Sequence, residues 1–272
     1  MRHRLRRVSR HLLCAAIGLT LAPLLAYLCS TPRFDRLSIG LAGPRRRAYN
    51  APVVAPARVA LIFDMDNTLI GSRIDFPAIR RSLIALLRTA GAAHEPDESL
   101  ARRALAQLVA VGAAHDHAHG TALAPQMWGI IEAHETDGLR DALPLDNAGD
   151  VLGALRARGF RLAILTNNGR GGALEALRAA GLHGHEEVLI ARDDTPALKP
   201  AGDGVGEAVR RLGNIDLAYV IGDSWIDGAA AAAAGARFIA YRRTAADLRD
   251  RGVEPWRTIA HLNELLTIDL TR

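Results

Sequence analysis

The stretch V-A-L-I-F-D-M-D-N-T, residues 59–68, decides how the rest of the chain is read. Its first five residues are apolar, a run short enough for a buried strand and too short for a helix. Asp64 and Asp66 follow, two positions apart. While the chain stays extended, that spacing sends both carboxylates to one side and Met65 to the other. Two carboxylates at the end of a buried strand are costly unless a cation or a shared proton relieves them. Asp and Asn also favour turns, so D-x-D alone is read more readily as a strand followed by an acidic turn.

The 272 residues suffice for one large α/β domain, or a core with a smaller insertion, and the 49% hydrophobic content supplies a sizeable core. The net charge of +5 is unevenly placed. Residues 1–56 hold ten arginines and one acid, Asp35, for a net of +9. The remainder holds 24 basic and 28 acidic residues, for a net of −4, and so shows no basic footprint for nucleic acid. Both cysteines, Cys14 and Cys29, lie in the basic tail. The folded part therefore has no disulfide, thiol nucleophile or zinc thiolate site.

In the tail, Arg2, Arg4, Arg6, Arg7 and Arg10 precede a mostly apolar run over residues 12–28. The run is long for a signal-peptide core and marginal for a membrane span, and Gly18 and Pro23 interrupt it. The expectation is an uncleaved membrane anchor with a cytoplasmic catalytic domain. An exported protein, a transit peptide and a start codon placed too far upstream are the alternatives. Residues 43–57 have the composition of a linker.

Beyond Thr68 the pattern is helical for some seventy residues. Ile79, Leu83, Leu86 and Leu87 fall on one helical face, Leu100, Leu105, Leu108 and Val111 suggest a second helix, and a third is expected over residues 125–135. Residues 72–141 are thus expected to form a helical insertion. Afterwards strands at 161–165, 187–191, 217–221 and 237–241 alternate with helices at 148–158, 172–180, 204–212 and 227–234, and a last helix is expected over 259–266. Such alternation argues for a parallel, Rossmann-like sheet covered on both faces, with chemistry at the C-terminal ends of its strands.

Three strand ends carry complementary polar groups. The first gives Asp64 and Asp66, and the second gives Thr166-Asn167-Asn168-Gly169, whose hydroxyl and backbone N–H groups suit an oxyanion. Another gives Gly222-Asp223-Ser224, with Asp227 one helical turn on. Of the 34 basic side chains 33 are arginine, so Lys199, in Lys199-Pro200, is the only lysine in the chain. A site wanting a compact point charge would keep such a residue. A single lysine also arises by chance in an arginine-rich chain, and the residue alone does not choose.

Together, D-M-D-N-T, L-T-N-N, Lys199-Pro200 and G-D-S-W-I-D, in this order, resemble the four motifs of the haloacid dehalogenase-like hydrolase superfamily. The helical insertion directly after the first motif is similar to the C1-type cap of the phosphoglycolate phosphatase-like branch. The resemblance implies a three-layer α/β sandwich, with a core of residues 57–71 and 142–272 and an all-helical cap over 72–141. It also implies a Mg²⁺-dependent phosphomonoesterase acting on a small phosphorylated metabolite. Asp64 would be the nucleophile, ionised at neutral pH without an activating base, and would form an aspartyl-phosphate. Asp66 would be the general acid and base. Mg²⁺ would sit on the Asp64 side chain, the Asp66 backbone carbonyl and Asp223, with Asp227 orienting its waters. Thr166, Asn167 and Lys199 would hold the phosphate.

Within the superfamily, haloalkanoate dehalogenases lack an acid at the position of Asp66, and phosphonatases need a cap lysine that this chain does not have. A sugar phosphomutase, β-phosphoglucomutase-like, is the runner-up. A non-catalytic, membrane-anchored binding protein on the same fold is the third reading. Arg73, Arg80, Arg81 and the histidines are the cap's candidates for choosing the leaving group. His115, His117 and His119 would share a face if extended and offer a transition-metal site, but a polar cap loop is the plainer reading. Trp128 and Trp225 are read as packing, although Trp225 could equally line the cleft between cap and core.

Overall fold

The sheet grows outward from β1, Val59–Phe63, every residue of which is buried. A computed structural model describes residues 58–271 of the chain. The basic tail, its apolar run and both cysteines lie outside the described residues. Among the described residues no helix is long and apolar enough to cross a membrane.

The remaining strands of the main sheet are β4 (Arg161–Leu165), β5 (Val188–Ile190), β6 (Leu217–Gly222), β7 (Arg237–Tyr241) and β8 (Arg257–Ile259). Their order is β5-β4-β1-β6-β7-β8, and every pairing is parallel. The chain leaves β1 to build one side of the sheet, then returns to build the other. This reversal opens a crevice at the C-terminal ends of the strands around β1.

Strand alternation explains the layers. Val59, Leu61 and Phe63 join the apolar cluster formed with α5 (Ala148–Ala157) and α6 (Arg170–Ala179). Ala60 and Ile62 point the other way, into the cluster formed with α7 (Asp203–Leu212) and α8 (Trp225–Ala233). A strand buried on both faces must be apolar throughout, as β1 is. Met65 continues the Phe63 face with no exposed surface, which leaves Asp64 and Asp66 together on the other side.

A helical insert separates β1 from β4. It comprises α1 (Phe76–Thr89), α2 (Asp97–Arg102), α3 (Leu105–His119) and α4 (Leu123–Leu139). The Asp75 carboxylate caps α1 by accepting from the Ala78 N–H at 2.8 Å, and Pro77 suits the first turn. Two chain crossings join insert to sheet, braced by an antiparallel pair of two-residue strands, β2 (Ile70–Gly71) and β3 (Leu143–Pro144).

Three expectations are corrected. The second insert helix is two helices, because Arg103 and Ala104 turn extended between α2 and α3. The H-x-H-x-H run is the last turn of α3 rather than a loop. Helical geometry then pairs His115 with His119, their ring centroids 4.4 Å apart, and turns His117 elsewhere. Residues 259–266 are not one helix. They hold the end of β8 and a 3-10 turn, Leu262–Leu266, preceded by the short helix α9, Ala245–Arg249.

At one crossing the insert touches the incoming chain backbone to backbone. The Arg73 N–H donates to the Gly138 carbonyl at 3.0 Å. A Cβ on Gly138 would lie 2.5 Å from the Ile74 nitrogen and 2.6 Å from its Cα. Backbone cannot yield as a side chain can. Gly138→Ala is therefore expected to destabilise the protein by about 1–3 kcal/mol, despite alanine's better helix propensity. Denaturant unfolding checks this, and a variant as stable as the wild type would refute the close approach.

Candidate active site

Lys199 organises the crevice. It is 3% exposed, and its ammonium makes three contacts. Nζ donates to Asp64 Oδ1 at 2.5 Å, to Asp227 Oδ1 at 2.7 Å and to the Leu165 carbonyl at 3.1 Å. An ammonium has three protons, and each finds an acceptor. Burial works against the charge, but Asp227 and Asp64 together outweigh it and hold the lysine pKa above its ordinary value. Asn167 locks the lysine backbone from the neighbouring loop. Its Oδ1 accepts from the Lys199 N–H at 3.0 Å, and its Nδ2 donates to the Lys199 carbonyl at 3.0 Å.

The carboxylates come from two adjacent strands. Asp64 extends β1 by one more ladder bond, its N–H donating to the Ile221 carbonyl of β6 at 2.8 Å. Asp66 sits above a tight turn in which Asn67 takes a left-handed φ of 58° and donates to the Ile70 carbonyl. Asparagine tolerates that conformation better than most residues. Asp223 and Asp227 come from the end of β6 and the first turn of α8. There Ser224 caps the helix, and its own N–H donates to Asp227 Oδ2 at 3.1 Å. A Cβ on Gly222 would fall 2.4 Å from Asp227 Cγ, so this strand end has room only for glycine.

Charge crowding shows in the protonation of these groups. Burial, then the neighbouring Asp64 charge, pushes Asp66 up to about 7. The same two causes push Asp223 up to about 7. Burial also raises Asp227, with the Lys199 charge opposing it. Asn168 Nδ2 donates to Asp66 Oδ2 at 2.7 Å, while Oδ1 has no hydrogen-bond partner among the described residues.

A cavity of about 320 Å³ opens over these groups. Asp64, Asp66, Asn167, Lys199, Asp223 and Asp227 all line it. Thr166 is buried beneath its loop and accepts the Asn168 N–H at 3.1 Å, so its hydroxyl supports the loop from below. The opposite wall comes from the insert. Trp128 faces the cavity rather than simply packing, and Trp225 lines it from the core side. Glu135 of α4 is buried and reaches across to Arg192, with Oε2 at 2.6 Å from Nη2 and Oε1 at 3.1 Å from Nη1. Arg192 also lies over the Trp128 ring, 4.7 Å from its centroid.

The Asn168 side chain, Glu135 and Arg192 were given no role by the sequence reading. The position of Asn168 inside L-T-N-N was a usable signal. For Glu135 and Arg192, 57 residues apart, no spacing rule offers one. Of the proposed cap arginines, Arg73 pairs with Asp141 in solvent and Arg81 is exposed, whereas Arg80 lines the cavity.

The donor set suits a hard cation. Carboxylate oxygens of Asp64, Asp223 and Asp227 lie within 4.8 Å of one another, with no sulfur or imidazole among them. Lys199 and the Ser224 N–H already occupy both oxygens of Asp227. Asp64 and Asp223 are therefore better placed to be direct ligands.

Comparison with known proteins agrees with this geometry. The model of the haloacid dehalogenase-like hydrolases matches residues 59–235. A phosphoglycolate phosphatase of Rhodobacter capsulatus is 32% identical over 67% of this chain and 83% of its own. One from Mesorhizobium japonicum is 27% identical over 79% of this chain and 95% of its own. The crystal structure of a haloacid dehalogenase-like hydrolase from Bacteroides fragilis superposes with a TM-score of 0.55 at 23% identity, covering 77% of this chain and 99% of that one. The chain belongs to the haloacid dehalogenase-like hydrolases, within their phosphoglycolate phosphatase-like branch, and is a phosphatase by kind.

Proposed function

We propose that the protein hydrolyses the phosphomonoester of a small phosphorylated metabolite, with Mg²⁺, through a phosphoryl group carried on Asp64. The observation that supports this most is the buried Asp64–Lys199–Asp227 ion cluster at the ends of neighbouring parallel strands, with Asp66 beside it.

Asp64 attacks phosphorus, and the bond to the leaving oxygen breaks. Its second oxygen, Oδ1, stays bound to Lys199, which fixes the approach of the nucleophile. Asp66 holds a proton near neutral pH and delivers it to the departing alkoxide. Once ionised, it takes a proton from the water that hydrolyses the aspartyl-phosphate. Asn168 keeps the other Asp66 oxygen turned away from this exchange. Lys199 and the loop after β4 bind the non-bridging oxygens as charge moves onto them. The Asp64 side chain, the Asp66 backbone carbonyl and Asp223 would hold Mg²⁺, with Asp227 orienting its surroundings. When bound, the cation offsets charge on the transferring phosphoryl group and on the crowded carboxylates. The helical insert is the cap that chooses the leaving group.

Asp64→Asn is expected to abolish turnover, because an amide is a poor nucleophile and a weaker Mg²⁺ ligand. Phosphate release from a panel of phosphomonoesters with Mg²⁺ measures it, and substantial activity in the variant would sink the mechanism. An isomerised sugar phosphate in place of released phosphate would point to the mutase reading instead.

Stability gives an independent check. Asp66 and Asp223 bind protons more tightly folded than unfolded. Their protonated forms therefore favour the fold. This contribution is complete below the ordinary carboxylate range and lost as pH rises through about 7. The metal-free protein should lose Tm between about pH 5 and about pH 8, and Mg²⁺ should raise Tm more at the upper end, where its ligands are ionised. A Mg²⁺ effect that is larger at the acid end would contradict the assignment of the ligands.

A further inference from the structure

None of the three histidines in the H-x-H-x-H run lines the cavity over the aspartates. The run forms the last turn of α3, where residues four apart stand one above the other. His115 and His119 are therefore neighbours, their ring centroids 4.4 Å apart and their planes tilted by 41°. When two imidazoles bind one ion through nitrogens about 2 Å from it, their centroids fall roughly 5 Å apart, so a small opening of the pair suffices. His119 is exposed and His115 half-buried, which lets an ion reach both rings from solvent.

One of these rings is held in the form a metal needs. His115 Nδ1 lies 3.1 Å from Thr121 Oγ1, and the Thr121 hydroxyl donates its proton to Asp116 Oδ1. The threonine oxygen is then left to accept, so Nδ1 carries the imidazole proton and Nε2 presents its lone pair. A ligating histidine commonly donates its other N–H in this way, which fixes the ring and raises the basicity of the ligating nitrogen. Asp116 is itself fully engaged. Its Oδ1 also accepts from the Leu123 N–H at 2.7 Å, and its Oδ2 accepts from the Ala124 N–H at 2.8 Å. The support thus runs from the first turn of α4 through Asp116 and Thr121 to the ring. His119 has no hydrogen bond among the described residues to compete for its nitrogens.

We propose that His115 and His119 form a second metal site, on the helical insert, which takes a divalent transition-metal ion such as Zn²⁺ through two imidazole nitrogens. Imidazole suits such ions, whereas the all-carboxylate set of Asp64, Asp223 and Asp227 suits Mg²⁺. The two sites therefore sort metals by donor chemistry. No third histidine, cysteine or acid completes the pair among the described residues, so water or an added ligand fills the remaining positions. The ion cross-links the last turn of α3, beside the corner that Asp116 fixes onto α4.

Zn²⁺ titration of the full chain tests the site, with excess Mg²⁺ present and bound Zn²⁺ measured by competition with a chromophoric chelator. The tail carries His3, His11, Cys14 and Cys29, which can also take Zn²⁺, so the readout is the difference between the wild type and single variants. The wild type should bind one more equivalent than His115→Ala or His119→Ala. The second ring makes its bond within one helix, and losing it should weaken binding by about a hundredfold. His117→Ala should keep the ion, and Thr121→Val should weaken it by about tenfold to a hundredfold. Nitrogen NMR of the histidine rings reads the ligands directly. Zn²⁺ should shift the Nε2 signal of His115 and a ring nitrogen of His119 together, and leave His117 in place. Should His115→Ala fail to fold, His119→Gln, at an exposed position, carries the test. Equal Zn²⁺ uptake by the wild type and the His119 variants would overturn the site, as would an equally large loss in His117→Ala.

Discussion

The ammonium of Lys199 lies between Asp64 and Asp227, and the side chains of all three are less than a tenth exposed. Taking such charges out of water costs more than one ion pair returns unless every proton and lone pair is satisfied. Here the Leu165 carbonyl completes the lysine's three contacts, and Asn167 clamps its peptide. The cluster ties the end of β1 to the first turn of α8 and to the loop following β4. Without the ammonium, four carboxylates would crowd one crevice with only Arg243, 3.7 Å from Asp223, beside them. Even with it, burial first and the neighbouring Asp64 charge second push Asp66 and Asp223 toward their neutral forms. A site in this condition favours a cation, and it has one acid with a proton to give.

The sheet was legible wherever burial was two-sided and continuous. Residues 59–63 are a uniform apolar run, 161–165 and 237–241 are apolar after an opening arginine, and the structure places a strand at each. β2 and β3 were not legible. Two residues cannot show a period, and the pair exists only because the insert brings its two ends together. The last stretch misled for a related reason. Ile259, Leu262 and Leu265 are buried at intervals of three, which suits a helix on paper but suits a strand end followed by a 3-10 turn equally well. Glycines acted as reliable stops: Gly159, Gly181, Gly213 and Gly235 each take a positive φ just beyond a helix.

Much of the core half of the site was readable because Asp64, Asp66, Asn167 and Asp223 follow strand ends, where the order of elements places them, whereas Lys199 lies in a loop well beyond β5 and stood out only as the chain's one lysine. The cap half was not readable. Glu135 sits among exposed neighbours on α4 and reads as a solvated position, yet it is 8% exposed. Its partner Arg192 belongs to a 3-10 turn after β5, and only the docking of insert on core brings the two together. The His115–His119 run shows the converse. Its alternation is meaningful only in an extended chain, and α3 continues through it.

The chain's use of arginine everywhere except at residue 199 follows from these distances. At the centre of the crevice a charge must sit between two carboxylates and a carbonyl with nothing beyond them, and a compact ammonium does so where a planar fork would overfill the space. At the boundary between insert and core the requirement is reach. Arg192 meets both oxygens of Glu135 while lying over Trp128, and Arg251 donates to the Arg102 carbonyl while lying over Trp225. An ammonium cannot make flat and edgewise contacts at once. A buried ion pair adds little net stability over an apolar pair, but losing one partner is costly, and Glu135–Arg192 joins α4 to the turn after β5. Phe76, Ile79 and Arg80 of α1 line the same cavity as Asp64. The aspartate end of the cavity thus holds the lysine, with Arg243 beside Asp223, and the boundary with the insert holds arginines.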